Sequence, residues 1–294
     1  MAIYVSTGAF VSRHVPDIVT MAETLGLTHL ELSSGCESFP DLNALVRILQ
    51  ASSLTLSVHN YFPPPAIPFV LNLGALDPEA LASSRDHVRL CIDLTRTLGG
   101  SYYSVHSAFA LNLSPQLLGR PRAQSELASQ SRPLDRDAVR ATFVESLTLL
   151  CAEAAEKGIS LLVENNVVSP LQVRANRSDL SLMVDADEIE SVFNEVAAPN
   201  LGLLLDVAHA RVSGNALGFD AAELVERLAR HIRLLHISND DGVEDRNLPV
   251  REDSWFWPVI APLADRDIVI EAYRLDGHDI VAQRNLTARM LGIR

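Results

Sequence analysis

Short apolar runs alternate with longer amphipathic stretches along the whole chain. The apolar runs are rich in Leu, Ile, Val and Tyr and predict buried strands at residues 2–6, 29–33, 54–59, 102–107, 160–165, 201–207, 232–238 and 267–273. The amphipathic stretches predict helices near residues 15–25, 41–52, 78–98, 135–157, 186–197, 221–230, 256–264 and 279–291. This alternation predicts repeated βα units around a parallel sheet.

Residue types at the predicted helix ends support several of these boundaries. Aspartates that can cap the first turn precede some helices, and glycines follow others. The aspartates are Asp41, Asp77, Asp135 and Asp185, and the glycines are Gly26, Gly99 and Gly158. Repeated βα units in a chain of 294 residues fit a closed (β/α)8 TIM barrel better than an open doubly wound sheet. Because no linker divides the chain, we predict an α/β fold with a single barrel domain over residues 1–294.

Three predicted connections are longer than a βα loop needs, namely residues 60–76, 108–134 and 166–184. Each of them leaves the carboxyl end of a predicted strand. Barrel enzymes build their pockets from the loops at that face. We therefore expect these loops to determine which substrate the protein accepts.

The composition limits the classes of partner. The net charge of −13 would repel a polyanion, which disfavours nucleic acid. No apolar run is long enough to span a membrane, and the first residues lack the pattern of a secretion signal. Cys36, Cys91 and Cys151 lack zinc-finger spacing and indicate reduced thiols, and the lone Lys157 disfavours Schiff-base chemistry. We expect a cytoplasmic protein that acts on a small molecule.

Side chains that can bind metal ions stand at the ends of most predicted strands. The carboxyl ends of all barrel strands meet at one mouth, so residues far apart in the sequence become neighbours there. Carboxylates combined with imidazole favour Mn²⁺, Mg²⁺, Co²⁺ or Zn²⁺ over metals that prefer thiolate. The side chains are Glu31, His59, His106, Glu164, Asp206, His236 and Glu271.

Structural alternatives are open for several of these residues. His59 and His106 are also consistent with hydrogen-bonded core histidines, and Asp206 with a cap for a following helix. Glu164 and Glu271 each follow three apolar residues. A carboxylate at the edge of an apolar core is costly unless it is paired or bound to a metal ion. The two glutamates are therefore the strongest candidates for a functional site.

Four of these strand ends carry a resemblance to a known family. The segments are LLVEN (161–165), LLLDVAH (203–209), LLHIS (234–238) and IVIEAY (268–273). In this order and spacing they resemble the xylose isomerase-like TIM-barrel superfamily. That superfamily includes sugar isomerases and epimerases, inosose and dehydroshikimate dehydratases, and zinc-dependent abasic-site endonucleases. The resemblance spans the whole chain and is specific for the superfamily but not for one member.

The resemblance implies one divalent metal ion and an isomerase or epimerase of a sugar or sugar derivative. Epimerase members hold their metal ion through residues that match Glu164, Asp206, His236 and Glu271, and a substrate-contacting histidine matches His209. These matches imply that Glu164 and Glu271 move a proton through an enediolate, with His209 as a third catalytic group.

Other members of the superfamily keep further functions open. The endonucleases would also use His59, His106 and His209 as ligands, plus an Asp-x-His motif after the seventh strand. Residues 239–253 read NDDGVEDRNLPVRED, with Asn247 where relatives often have histidine. This departure and the acidic charge disfavour a three-zinc phosphodiesterase. A metal-dependent dehydratase or lyase stays open, as does a barrel that has lost its chemistry.

The remaining site candidates are predicted substrate contacts. They are His59, His106, Asn166, Arg246 and Trp257. Arginine suits a phosphate or nucleotide diphosphate, and an aromatic face suits a sugar ring, so the substrate is expected to be polyhydroxy with or without such a group. A solvated surface position for Arg246 and a packing role for Trp257 are the alternatives. A homo-oligomer is also open, since relatives are often dimers or tetramers.

Overall fold

The strands of the protein form one closed parallel barrel. A computed structural model describes residues 1–33, 35–113 and 132–293. The strands are β1 (Ile3–Ser6), β2 (His29–Leu32), β3 (Thr55–His59), β4 (Tyr102–His106), β5 (Ser160–Glu164), β6 (Leu201–Asp206), β7 (Ile232–Ile237) and β8 (Asp267–Ile270). They pair in sequence order, and β8 closes the barrel on β1. Every predicted strand is present, which confirms the predicted (β/α)8 fold.

Helices alternate with the strands around the outside of the barrel. Among the described residues they are α1 (Val15–Thr24), α2 (Leu42–Ala51), α3 (Pro78–Thr97), α4 (Arg136–Glu156), α5 (Pro170–Arg174), α6 (Ala186–Val196), α7 (Val207–Leu217), α8 (Ala221–Leu228), α9 (Trp257–Ile260) and α10 (Gly277–Met290). Asp41, Asp77, Asp135 and Asp185 cap helices as predicted. Of these helices, none has both the length and the apolar character needed to cross a membrane.

Two helices were not predicted from the sequence. Helix α7 begins directly after β6, and Asp206 is both the last residue of the strand and the cap of the helix. Because no polar residues separate the two elements, the sequence gives no sign of where the strand ends and the helix begins. Helix α5 is a single short turn started by a capping box between Ser169 and Gln172.

Two layers of inward-facing side chains fill the barrel. Side chains two positions apart on a strand share a face, because the strand repeat is two residues. An apolar cluster inside the barrel consists of Tyr4, Leu162, Leu204, Leu234 and Val269. Two residues further along the last four of these strands stand Glu164, Asp206, His236 and Glu271. Burial of the apolar row fixes which face of each strand points inward, so the polar row points into the mouth of the barrel.

The long connections lie at the same end of the barrel as this polar row. Residues 60–76 and 166–184 leave the carboxyl ends of β3 and β5, as predicted. The third predicted loop, 108–134, lies partly outside the described residues, at 114–131. The three cysteines are free and buried, so none of them takes part in a disulfide.

Candidate metal centre

Four side chains from neighbouring strands meet at the mouth of the barrel. Glu164 ends β5, Asp206 ends β6, His236 lies near the end of β7, and Glu271 follows β8. One ligand atom from each of the four lies within 4.8 Å of the others, and all four residues are buried. The structure therefore brings together the four residues that the sequence proposes as metal ligands.

His236 lies between two carboxylates. Its Nδ1 is 3.0 Å from Oε2 of Glu271, and its Nε2 is 3.0 Å from Oε2 of Glu31. Burial opposes a charged imidazole, but the two carboxylates outweigh burial and raise the pKa of His236 well above its usual value. Burial raises the pKa of Glu271, but His236 outweighs it and lowers that pKa to about 2. Without a metal ion, the carboxylates therefore favour the charged form of His236, and His236 favours the ionised form of Glu271.

The two carboxylate oxygens of Asp206 have different surroundings. Oδ1 accepts the backbone N–H of His209 at 2.8 Å and caps α7, so the capping role left open by the sequence is present. Oδ2 is buried and has no hydrogen-bond partner among the described residues. Burial raises the pKa of Asp206 to about 7. A buried oxygen without a partner is costly, and a bound cation would relieve that cost.

Glu164 is surrounded by histidines. Its Oε2 lies 3.1 Å from Nε2 of His106 and 3.5 Å from Nε2 of His59, and its Oε1 lies 3.5 Å from Nδ1 of His209. Burial raises the pKa of Glu164, but the histidines, led by His106, outweigh burial and hold it well below its usual range. His106 is the open member of the group, with its side chain 45% exposed, whereas His59 is buried. Burial lowers the pKa of His59 to about 4, so this imidazole is neutral.

His209 is fixed from two sides by groups outside the quartet. Its Nδ1 lies 2.8 Å from the backbone carbonyl of Asn165, and its Nε2 lies 3.3 Å from Oδ2 of Asp245. Asp245 was not singled out from the sequence. The signal that could have found it is Asp245-Arg246-Asn247, which keeps the aspartate of an Asp-x-His motif but not its histidine.

Tyr273 is a second contact that the sequence did not identify. Its hydroxyl donates to Oε1 of Glu271 at 2.8 Å, so both oxygens of Glu271 have partners. The ring lies against Gly8, where an added Cβ would be 2.6 Å from Cε1 of Tyr273. Gly8 therefore lets the tyrosine approach the carboxylate, and any side chain at this position would displace the ring.

Three residues predicted as substrate contacts have their polar groups engaged outside the quartet. Asn166 donates from Nδ2 to the backbone carbonyls of Ala108 and Leu182, at 2.9 and 3.0 Å, and so ties two loops together. Trp257 is 4% exposed, and its indole N–H donates to the carbonyl of Arg251 at 2.6 Å, which favours the packing alternative. The side chain of Arg246 is 54% exposed and pairs with Asp241 at 3.2 Å, so its solvated alternative is favoured.

The donor set of the quartet fits a divalent cation. Three carboxylates and one imidazole offer hard oxygens with one nitrogen, which suits Mn²⁺, Mg²⁺, Co²⁺ and Zn²⁺. The unpartnered Oδ2 of Asp206 supports this fit independently of the residue types. The buried cluster could therefore hold a metal ion.

Comparison with known families identifies the family of the chain. The model of the xylose isomerase-like TIM barrel matches residues 19–283. The chain belongs to this family. No curated protein sequence gave a significant match. Family membership confirms the resemblance carried by the four strand-end segments.

Solved structures share the fold over the full length of the chain. A D-tagatose 3-epimerase-like protein is 18% identical, with 100% of this chain and 98% of that chain covered and a TM-score of 0.73. D-psicose 3-epimerase from Clostridium cellulolyticum H10, solved with D-tagatose, is 16% identical, with 99% of both chains covered and a TM-score of 0.70. A family 2 AP endonuclease from Brucella melitensis is 18% identical, with 95% and 96% covered and a TM-score of 0.67. At these identities the similarity establishes the fold alone.

Proposed function

We propose that the chain is a divalent-metal-dependent isomerase or epimerase of a keto sugar or a related polyhydroxy compound. The observation that carries this proposal is the buried convergence of Glu164, Asp206, His236 and Glu271 at the mouth of the barrel. The epimerases among the structural neighbours support a sugar substrate. The proposed domain is the whole chain, residues 1–294.

The two glutamates are proposed to move the proton. When bound, the ion would supply Lewis-acid polarisation of the substrate carbonyl, which makes the neighbouring C–H proton easier to remove. Glu164 ends β5, and Glu271 follows β8, which lies three strands further around the barrel. Each carboxylate has two oxygens, so one oxygen can hold the ion while the other takes or returns a proton. Removal from one face and return on the other inverts the carbon.

The histidines around Glu164 are proposed to support this transfer. His106 Nε2 is 3.1 Å from Glu164 and its side chain is 45% exposed, so it can pass a proton between the carboxylate and the mouth. His209 is held by Asn165 and Asp245 and is proposed to bind a substrate hydroxyl. His59 is buried, and its Nδ1 lies 3.0 Å from the hydroxyl of Ser104, which fits an orienting role.

A neutral sugar suits the site better than a phosphorylated one. Three arginines in the segments that follow β6 and β7 are engaged with acidic groups. Arg211 lies 3.7 Å from Asp240, and Arg246 lies 3.2 Å from Asp241. Arg251 likewise pairs with Asp253 at 3.0 Å. A phosphate would have to displace these carboxylates.

Turnover of unphosphorylated keto sugars tests the proposal. The chelator-treated protein should be inactive, and addition of one equivalent of Mn²⁺, Co²⁺ or Mg²⁺ should restore conversion of at least one ketohexose or ketopentose. Glu164→Gln and Glu271→Gln should each lower kcat by a factor of about 100 or more, since general acid–base catalysis contributes about that much. Glu153→Gln is the matched control, because Glu153 pairs with Arg89 between α3 and α4. Metal-independent conversion, or full activity of both glutamine variants, would refute the proposal.

A phosphodiester hydrolase is the second candidate. His59, His106 and Glu164 form another group whose ligand atoms lie within 4.8 Å of one another, and Asp245 faces His209. Asn247 in place of a histidine and the net charge of −13 oppose this function. Metal analysis separates the two, because one ion per chain supports the epimerase and two or three zinc ions support the hydrolase. Loss of water from the sugar, seen as a new enone absorbance, would instead indicate a dehydratase.

A further inference from the structure

Glu31 is a fully buried carboxylate that the proposed chemistry does not use. It lies on β2, in register with Ser6 of β1 and Ser57 of β3, and has 0% exposure. Its Oε1 has no hydrogen-bond partner among the described residues, and its Oε2 is 3.0 Å from Nε2 of His236. A carboxylate removed from water is costly unless its surroundings compensate for the lost hydration. Its contact with His236 is therefore the feature that needs an explanation.

The two nitrogens of His236 face different groups. Nδ1 faces the quartet, at 3.0 Å from Glu271 and 4.0 Å from Glu164, while Nε2 faces away from it towards Glu31. A neutral imidazole binds a cation through the nitrogen that carries no proton, and the hydrogen bond of the other nitrogen decides which one that is. In a neutral imidazole, donation from Nε2–H to Glu31 leaves the lone pair on Nδ1, the nitrogen that faces Glu271 and Glu164.

We propose that Glu31 is a positioning residue that fixes the tautomer and the ring orientation of His236 for metal binding. Glu31 acts through His236 and does not contact the substrate. The inference rests on the proposed function, because it requires His236 to be a ligand. A carboxylate on the distal nitrogen also makes the imidazole a stronger ligand, and loss of such a partner typically weakens metal affinity by about 10- to 100-fold.

The other described neighbours of His236 do not accept the proton on its Nε2. The ring of His59 packs edge-on against His236, with centroids 4.9 Å apart, and so restricts tilting without accepting the Nε2 proton. His59 has its own partner, since its Nδ1 lies 3.0 Å from the hydroxyl of Ser104. Among the described residues, Glu31 is the group that hydrogen-bonds Nε2 of His236.

Metal affinity of the full chain tests the inference. The chelator-treated protein and its Glu31→Gln variant are titrated with Zn²⁺ in competition with a fluorescent chelator. Glutamine keeps the size of the side chain but removes its charge. We expect about tenfold or more weaker binding with the number of ions per chain unchanged. Ser33→Ala is the matched control: Ser33 is also buried at the end of β2, and its hydroxyl contacts Ser6 and Thr7. This control should bind Zn²⁺ like the wild type.

A spectroscopic measurement separates positioning from a general structural effect. In zinc-loaded protein with ¹⁵N-labelled histidine, His236 should carry its proton on Nε2 and bind the ion through Nδ1. Glu31→Gln should shift the Nε2 resonance and Ser33→Ala should not.

The outcomes distinguish this inference from the proposed function. Wild-type protein that binds no divalent ion would refute both. Wild-type binding with equal affinity and an unchanged Nε2 resonance in Glu31→Gln would overturn the inference alone. If the wild type binds two ions and Glu31→Gln binds one, the inference is also overturned, because Glu31 would then be a metal ligand. The ligand atoms of Glu31, His59 and His236 lie within 4.8 Å of one another and could form that second site.

Discussion

Asp206→Asn should make the metal-free protein more stable above pH 7, and it should remove most of the stability that the protein gains from a bound metal ion. Burial raises the pKa of Asp206 from 3.8 to about 7. A raised pKa in the folded state means that the proton binds more tightly there than in the unfolded chain. The stability linked to Asp206 is therefore fully present below about pH 4 and is lost as the pH rises through about 7. The loss above pH 7 is up to about 4 kcal/mol, because a tenfold difference in proton affinity corresponds to about 1.4 kcal/mol.

Asparagine removes the charge and keeps the other role of the side chain. Its amide oxygen can accept the N–H of His209 as Oδ1 of Asp206 does, and asparagine caps helices as well as aspartate. The free energy of unfolding of Asp206→Asn in the presence of chelator should thus exceed that of the wild type at pH 8 by up to about 4 kcal/mol, and the difference should shrink towards pH 5.

Urea denaturation from pH 5 to pH 8, with chelator and with excess Mn²⁺, measures both effects. Excess Mn²⁺ should stabilise the wild type by about 2.7 kcal/mol at a concentration 100 times its dissociation constant. The variant should gain little, because it lacks the anionic oxygen. A variant less stable than the wild type at pH 8 in chelator would refute the argument from the unpartnered Oδ2. Equal stabilisation of both proteins by Mn²⁺ would exclude Asp206 as a ligand.

Three further predictions concern the surroundings of the site. Tyr273→Phe removes the hydrogen bond to Glu271, so it should lower kcat and reduce the free energy of unfolding by about 1 kcal/mol. Kinetics and urea denaturation measure the two effects, and an unchanged kcat would count against a role for the hydroxyl. Gly8→Ala should lower kcat similarly, since its Cβ would displace the Tyr273 ring, and a crystal structure with the ring in place would contradict this. Trp257→Phe should cost about 1–2 kcal/mol of stability through the lost bond to Arg251 and leave KM for the sugar unchanged; a raised KM would restore Trp257 as a substrate contact.

The positions at the strand ends could be predicted because two periodic signals coincide. Leu162 and Glu164, or Val269 and Glu271, are two residues apart and so share the inner face of the barrel. A carboxylate that continues an apolar inner row is visible in the sequence alone. The βα alternation then places all such residues at one mouth.

The contacts that the sequence did not reveal depend on how loops fold back. Asp245 meets His209 only because the loop after β7 returns over the mouth, and no periodicity describes such a loop. The sequence leaves Trp257 open between pocket and core because its aromatic side chain suits both, and its burial at the start of α9 favours the core. Helix α7 was missed because one residue, Asp206, ends the strand and caps the helix.

Incorporation of solvent deuterium into a keto sugar tests the central claim most directly. The protein is freed of metal, reloaded with one equivalent of Mg²⁺, and incubated in D₂O with each of a panel of unphosphorylated ketoses, and carbon-bound deuterium is measured by NMR. The proposed function predicts one deuterium at the carbon next to the carbonyl of the accepted sugar and of its epimer, lost with chelator and with Glu164→Gln. Product formed without deuterium would contradict proton transfer through carboxylates that exchange with solvent, and absence of both product and exchange across the panel would contradict the claim itself.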